Sequence, residues 1–184
     1  MRIKIIDNIE EYFPLPEKAK WEYSVEMSSP FGGIQKGKRL VRIDGEELIN
    51  GKIYNKTVSV FSGFPGAEPE IIYLRKEKDG FYAISNKYKD EPEYLTLPLP
   101  LFVGRRWTVE SPEGFSRSHL SSVEVAELFD RKYEDCIKIS YKGKYNNKNY
   151  EGFSYHARNV GMVWEIDDFE GTKIEMNLTS YDKQ

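Results

Sequence analysis

The sequence predicts an all-β chain: a curved antiparallel sheet of about ten strands, half-barrel or sandwich-like. Three observations carry this. Apolar residues recur at every second position in run after run. Turn-forming pairs fall between the runs. The composition favours aromatics, with 13 Tyr, 10 Phe and 3 Trp, which suit half-buried pleated surfaces.

The elements follow in order. Asp7–Tyr12 reads as a short helical turn with Asp7 as N-cap, stopped by Pro14. Trp21, Tyr23, Val25 and Met27 alternate with Glu22, Ser24 and Glu26. Weaker alternation covers Lys38–Leu48, Lys52–Phe61, Ile71–Lys76, Phe81–Ser85 and Ser118–Phe129. Ile137, Ile139 and Tyr141 form a further apolar stripe. Met162, Trp164 and Ile166 stand opposite Glu165 and Asp167, and Ile174, Met176 and Leu178 opposite their polar neighbours. Each strand is expected to bury its apolar side and leave its charges wet. Asn50-Gly51 and Asp79-Gly80 supply the positive φ of two-residue hairpins. Glu170-Gly171 and Lys142–Asn149 are two more hairpin loops. Pro14–Pro16, Pro65–Pro69 and Leu97–Pro100 read as extended connections or edge entries.

The chain contains an echo. Pro14-Leu15 precedes Trp21 as Pro100-Leu101 precedes Trp107, and Tyr73…Gly80-Phe81 parallels Tyr155…Gly161-Met162. Two half-repeats, 12–90 and 98–184, are expected inside a single domain spanning 1–184, with Glu91–Pro100 as the seam. Trp21 and Trp107 are expected at equivalent, buried positions.

Charge and cysteine content exclude several classes. A net charge of −3 with 31% charged residues gives a mixed surface, with no reason to expect nucleic acid or an anionic membrane as partner. The single Cys136 excludes an internal disulfide and sits in a strand-like run, as a core residue would. No run reaches the roughly 20 apolar residues of a transmembrane helix. The first apolar run ends at Asp7, too short for a signal peptide. The expected location is cytoplasmic for the chain as it stands, or periplasmic or extracellular if a leader has been removed.

Chemistry-bearing motifs are sparse. His119 and His156 are the only histidines. Both are expected on the surface, with His156 on the strand face of Ser154, opposite Phe153 and Tyr155. No catalytic residue, metal site or cofactor is expected. Ser116, Ser118 and Ser121 lie near His119 without a nucleophile elbow. Gly32-Gly33 and Gly63–Gly66 read as turns, and Asp167-Asp168 as a solvated strand end without calcium-loop spacing.

The run Tyr12-Phe13-Pro14-Leu15…Trp21-Glu22-Tyr23 resembles the opening of an uncharacterised bacterial β-rich domain family of envelope lipoproteins and secreted proteins. That family repeats a Pro-Leu-x-x-Gly-x-x-Trp motif. Pro100-Leu101-Phe102-Val103-Gly104-Arg105-Arg106-Trp107, Asp135-Cys136-Ile137-Lys138 and Tyr155–Val163 extend the resemblance over almost the whole chain. Ala19 is read at the place of the family's first glycine, and Arg158 at that of a proline. The resemblance implies a half-barrel-like sheet and a non-enzymatic envelope role, and it transfers no catalytic residue.

The aromatic excess has three uses: filling a curved sheet, lining an apolar cavity, or forming a partner surface. The expected function is a non-catalytic binding or assembly module of the bacterial envelope. The alternative is a carrier of a hydrophobic small molecule in a half-open barrel. The expected ligand groove is concave, lined by Phe61, Phe81, Phe102 and Phe153, with Pro30–Gly33 and Pro65–Pro69 as its rim. Its occupant is an apolar ligand or a protein partner's hydrophobic segment.

Overall fold

The computed structural model describes residues 5–6, 8–128 and 131–183. Twelve strands form one antiparallel sheet: β1 (Lys20–Ser29), β2 (Gly33–Ile49), β3 (Lys52–Ser62), β4 (Glu70–Glu77), β5 (Gly80–Ser85), β6 (Tyr94–Pro98), β7 (Arg106–Ser111), β8 (Gly114–Leu128), β9 (Arg131–Tyr145), β10 (Lys148–Ala157), β11 (Gly161–Phe169) and β12 (Thr172–Asp182). Their spatial order is β6-β5-β4-β3-β2-β1-β12-β11-β10-β9-β8-β7. Every strand pairs with its sequence neighbours except β6 with β7, and the first pairs with the last. The sheet is nearly closed into a barrel. Its two free edges, β6 and β7, are consecutive in sequence.

The seam lies there for a chemical reason. Pro98 and Pro100 carry no N–H, so this stretch cannot sustain a ladder on both sides. Trp107 spans the gap, its indole Nε1 donating to the Thr96 carbonyl at 3.0 Å. The Leu97–Pro100 stretch, expected to be an extended connection or an edge entry, overlaps the end of the edge strand β6, which accounts for part of the excess over ten strands. Trp107 is half-buried, which corrects the expectation of full burial. Trp21 is buried, and its Nε1 donates to the Val160 carbonyl at 2.6 Å.

Turn chemistry holds at three hairpins. Asn50 and Gly51 have φ of 50° and 77°, Glu170 and Gly171 of 53° and 90°, and Asn146 and Asn147 of 48° and 65°, as two-residue turns require. The loop read as Lys142–Asn149 shrinks to that last pair, because β9 continues to Tyr145 and β10 begins at Lys148. Asp79-Gly80 differs, since neither residue has positive φ. Gly80 is needed for close approach: a Cβ there would lie 2.4 Å from both Leu95 Cδ1 and the Leu97 carbonyl.

The residue three before each echo tryptophan is left-handed: Lys18 at φ 63° and Gly104 at φ 92°. Lys18, not Ala19, therefore occupies the motif's glycine position. Ala19 is a fully buried core residue.

The N-terminal segment packs into the barrel. Its 3-10 turn spans Ile9–Glu11 after Asn8, which makes no side-chain cap; the N-cap expected of Asp7 falls outside the described residues. Ile6, Ile9 and Tyr12 join Phe81, Leu97, Leu101, Leu120, Ile137 and Ile139 in one buried cluster. Backbone bonds from Ile6 N–H to Leu101 O (2.9 Å) and from Asn159 N–H to Glu11 O (2.5 Å) fix its ends. Cys136 is fully buried in a second cluster with Trp21, Tyr23 and Val25, and burial pushes its thiol up to about 11.

The outer face is not uniformly wet. Ile49, Tyr54, Tyr73 and Ile84 form a buried cluster on the outside of β2–β5. The segment Asn86–Glu93 covers it. Tyr54 Oη donates to Glu93 at 2.5 Å and Tyr73 Oη to Asn86 at 3.2 Å. Arg75 grips Glu93 through two bonds of 2.7 and 2.6 Å.

Candidate functional site: an apolar cavity inside the barrel

The interior holds a cavity of about 320 Å³. Its walls come from around the barrel: Trp21 and Tyr23 on β1, Val41 and Ile43 on β2, Thr57 on β3, Leu74 on β4, Phe81 on β5, Trp107 on β7, Ile139 on β9 and His156 on β10. Tyr12–Leu15 and Gly161-Met162 complete the rim. Neither the Pro30–Gly33 nor the Pro65–Pro69 loop lines it, contrary to expectation. No wall residue is Asp, Glu, Lys or Arg.

Two polar atoms stand out at these walls. Thr57 Oγ1 is buried with no hydrogen-bond partner among the described residues, and His156 Nδ1 is buried with no well-formed one, although the Tyr12 backbone lies close enough to favour the protonated ring. Such groups are rare, because each forfeits its hydration without compensation. The His156 ring lies 4.5 Å from that of Phe13, and its Nε2 is 3.0 Å from Ser154 Oγ. Desolvation drives its pKa down to about 3, so the imidazole is neutral at ordinary pH. The expectation of a surface His156 is therefore overturned. His156 does share a face with Ser154, but that face is the inner one. Phe153 and Tyr155 point outward, where they pack on Trp164 at centroid distances of 5.3 Å each.

The same inversion governs β11. Glu165 pairs with Met176 and Asp167 with Ile174, both of which belong to or pack against the buried cluster around Tyr23. The carboxylates point into the barrel and Trp164 and Ile166 point out. Asp167 is thus no solvated strand end. Tyr141 Oη lies 3.0 Å from Glu165 Oε1 and 2.8 Å from Asp167 Oδ1. One phenol proton cannot serve two carboxylates, so this trio has room for one more proton. Burial first, then the Asp167 charge, raises the Glu165 carboxyl above the usual range. Burial likewise raises Asp167, and Arg39 opposes both shifts. Arg39 donates to Ser59 Oγ at 2.6 Å and faces Glu70 at 3.6 Å. Neither Glu165 nor Asp167 lines the apolar cavity.

The four phenylalanines expected to line one groove are not brought together. Phe81 is buried at the cavity wall. Phe61 packs near Phe64 under the Arg39 guanidinium, 5.3 Å from its ring centroid. Phe102 bridges to Ile5 on the β6–β7 connection. Phe153 is on the outer face, where Lys138 Nζ sits 4.5 Å from its ring. Sequence reasoning missed Thr57, His156, Tyr12 and Leu15 as wall residues. The Pro-Leu-x5-Trp spacing was the available pointer, since Pro14, Leu15, Trp21 and Trp107 all reach the cavity.

A larger depression of about 940 Å³ lies outside, across β7–β12. Opposite charges meet in it at two places, where Lys142 faces Glu151 and Asp168 faces Lys173. His119 lines it and is half-buried.

The fold has solved counterparts. A candidate exported protein with a YmcC-like fold from Bacteroides fragilis matches with a TM-score of 0.57 at 11% identity, over 91% of this chain and 98% of that one. A candidate lipoprotein from Parabacteroides distasonis gives 0.40 at 13% identity, over 93% and 98%. A LolA-superfamily protein from Nitrosomonas europaea gives 0.34 at 9% identity, over 95% and 89%. The first of these shares the fold. No protein-family model and no curated protein sequence matches the chain.

Proposed function

We propose that this protein is a non-catalytic binding protein that holds a hydrophobic small molecule inside its barrel. The cavity carries the proposal: about 320 Å³, walled by aromatic and aliphatic side chains and free of formal charge. Its size is at the lower end of the range for small-molecule sites. The N-terminal segment supports a carrier role, because Tyr12–Leu15 form part of the wall and could part from it without breaking a strand ladder. The Pro-Leu-x5-Trp motifs support a bacterial envelope setting. Glu165 and Asp167 are the groups an enzyme would use, but they stand apart from the cavity wall.

A protein-partner surface is the second reading. It is favoured by the β1–β2 tip, where Phe31 is 100% exposed and Ile34 64%.

Titration of the folded protein with an environment-sensitive apolar dye tests the carrier reading. Saturable one-to-one binding, reversed by an alkane competitor, is expected. Absence of binding by the folded protein would overturn it.

A further inference from the structure

The orphaned Thr57 hydroxyl says what kind of molecule fits. We propose that the cavity takes an uncharged amphiphile, an apolar chain bearing one hydroxyl or carbonyl group, and that Thr57 Oγ1 is its hydrogen-bonding anchor, with the neutral His156 ring on the facing wall. This rests on the carrier reading above and adds the ligand's chemical class.

Size sets the first limit. At about 30 Å³ per water-sized unit, the cavity of about 320 Å³ holds roughly ten or eleven non-hydrogen atoms. The unpaired hydroxyl sets the second. Thr57 and His156 reach the cavity from opposite halves of the barrel, β3 and β10. A pure hydrocarbon would leave Thr57 Oγ1 unsatisfied, and an unsatisfied buried polar group costs about 1–3 kcal/mol. Charge sets the third. No wall residue is formally charged, so an ionised head group would be buried without a counter-ion. An anion is disfavoured further, because the interior also holds the carboxyl groups of Glu165 and Asp167, with Arg39 beside them.

The test uses four ligands of one chain length: decane, 1-decanol, decanoate and decylamine. Trp21 and Trp107 line the cavity, so intrinsic fluorescence reports occupancy, and calorimetry gives the affinities. At neutral pH 1-decanol should bind at least about tenfold more tightly than decanoate or decylamine. Thr57→Val should weaken 1-decanol about fivefold or more and leave decane unchanged, while Thr57→Ser should retain 1-decanol affinity. Decanoate or decylamine binding as tightly as 1-decanol would overturn the inference. So would an unchanged 1-decanol affinity in Thr57→Val, which would mean that an ordered water satisfies the hydroxyl. Decane binding with no preference for the alcohol defeats the inference alone. Failure of all four ligands defeats the carrier reading with it.

Discussion

Glu93→Gln should destabilise the protein by about 3 kcal/mol at neutral pH, a magnitude reached by two routes. Glu93 is the clasp that holds the 86–93 segment over the outer tyrosines. It accepts from Arg75 Nε and Nη2 at 2.7 and 2.6 Å, from Lys52 Nζ at 2.5 Å and from Tyr54 Oη at 2.5 Å. The Arg75 and Glu93 side chains are only 9% and 16% exposed. Arg75 above all, then Lys52 and Tyr54, hold the Glu93 carboxyl down to about 2 from an ordinary 4.5. That depression corresponds to about 3 kcal/mol of native-state stability. Independently, removing one partner of a buried pair typically costs about 3–5 kcal/mol. Solvent at the pair's edge brings the expectation to the lower end. For a chain of this length the loss is about 6–12 °C in Tm. The sign with pH follows from a depressed folded-state pKa. The contribution is complete above about 4.5 and is lost as pH falls towards about 2. Urea unfolding of parent and variant across that window is the assay. Their curves should converge in acid and separate by about 3 kcal/mol at neutrality. Arg75→Met added to Glu93→Gln should cost much less than the sum of the two single changes. A loss under about 1 kcal/mol, with parallel curves throughout, would refute the reasoning.

Three further outcomes are expected. The interior acid Glu165 faces Asp167, Tyr141, Arg39 and Glu70, and burial pushes it up to about 7. Its contribution is full below about 4.5 and lost as pH rises through about 7, so Glu165→Gln should flatten that decline and stabilise the protein by about 1–2 kcal/mol at alkaline pH; an equally steep decline in the variant would contradict this. Lys18→Gly should raise stability by up to about 1 kcal/mol in urea, since a left-handed backbone strains lysine. Gly104→Ala should lower stability by a similar amount through conformation alone, because a Cβ there would meet nothing within 4 Å; a loss from Lys18→Gly would show that the lysine side chain compensates.

Much of the fold was legible in local chemistry, and most of the interior was not. Alternation identified Trp21–Met27 and Ile174–Leu178 as strands with their apolar sides inward, because those sides meet in the core. The same rule inverted β10 and β11. Period two separates two faces but does not say which one is inside, and these strands carry aromatics on their outer face. Phe153, Tyr155 and Trp164 bury one another there, beside Lys138. Register against β12 decides the matter, and the bulge opposite Tyr155/His156, which adds Val163 to β11, turns Met162 to the cavity beside His156. Neither the register nor the bulge has a local signature. The cavity is a property of closure, assembled from residues as far apart as Tyr12 and Met162. The four selected phenylalanines failed as a set because aromatic type does not fix direction. The Pro-Leu-x5-Trp spacing, read from the sequence only as architecture, holds a better pointer, because Pro14, Leu15, Trp21 and Trp107 reach the cavity.

The most direct test of the central claim is to fill the cavity and ask whether binding disappears. Leu74→Trp adds bulk at the β4 wall. Parent and variant should be titrated with the same apolar dye, and their folded state checked by circular dichroism and cooperative urea unfolding. The account predicts saturable dye binding by the parent and at least about tenfold weaker binding by a folded Leu74→Trp. Equal dye affinity in the two proteins, both folded, would place the binding surface outside the barrel and contradict the account.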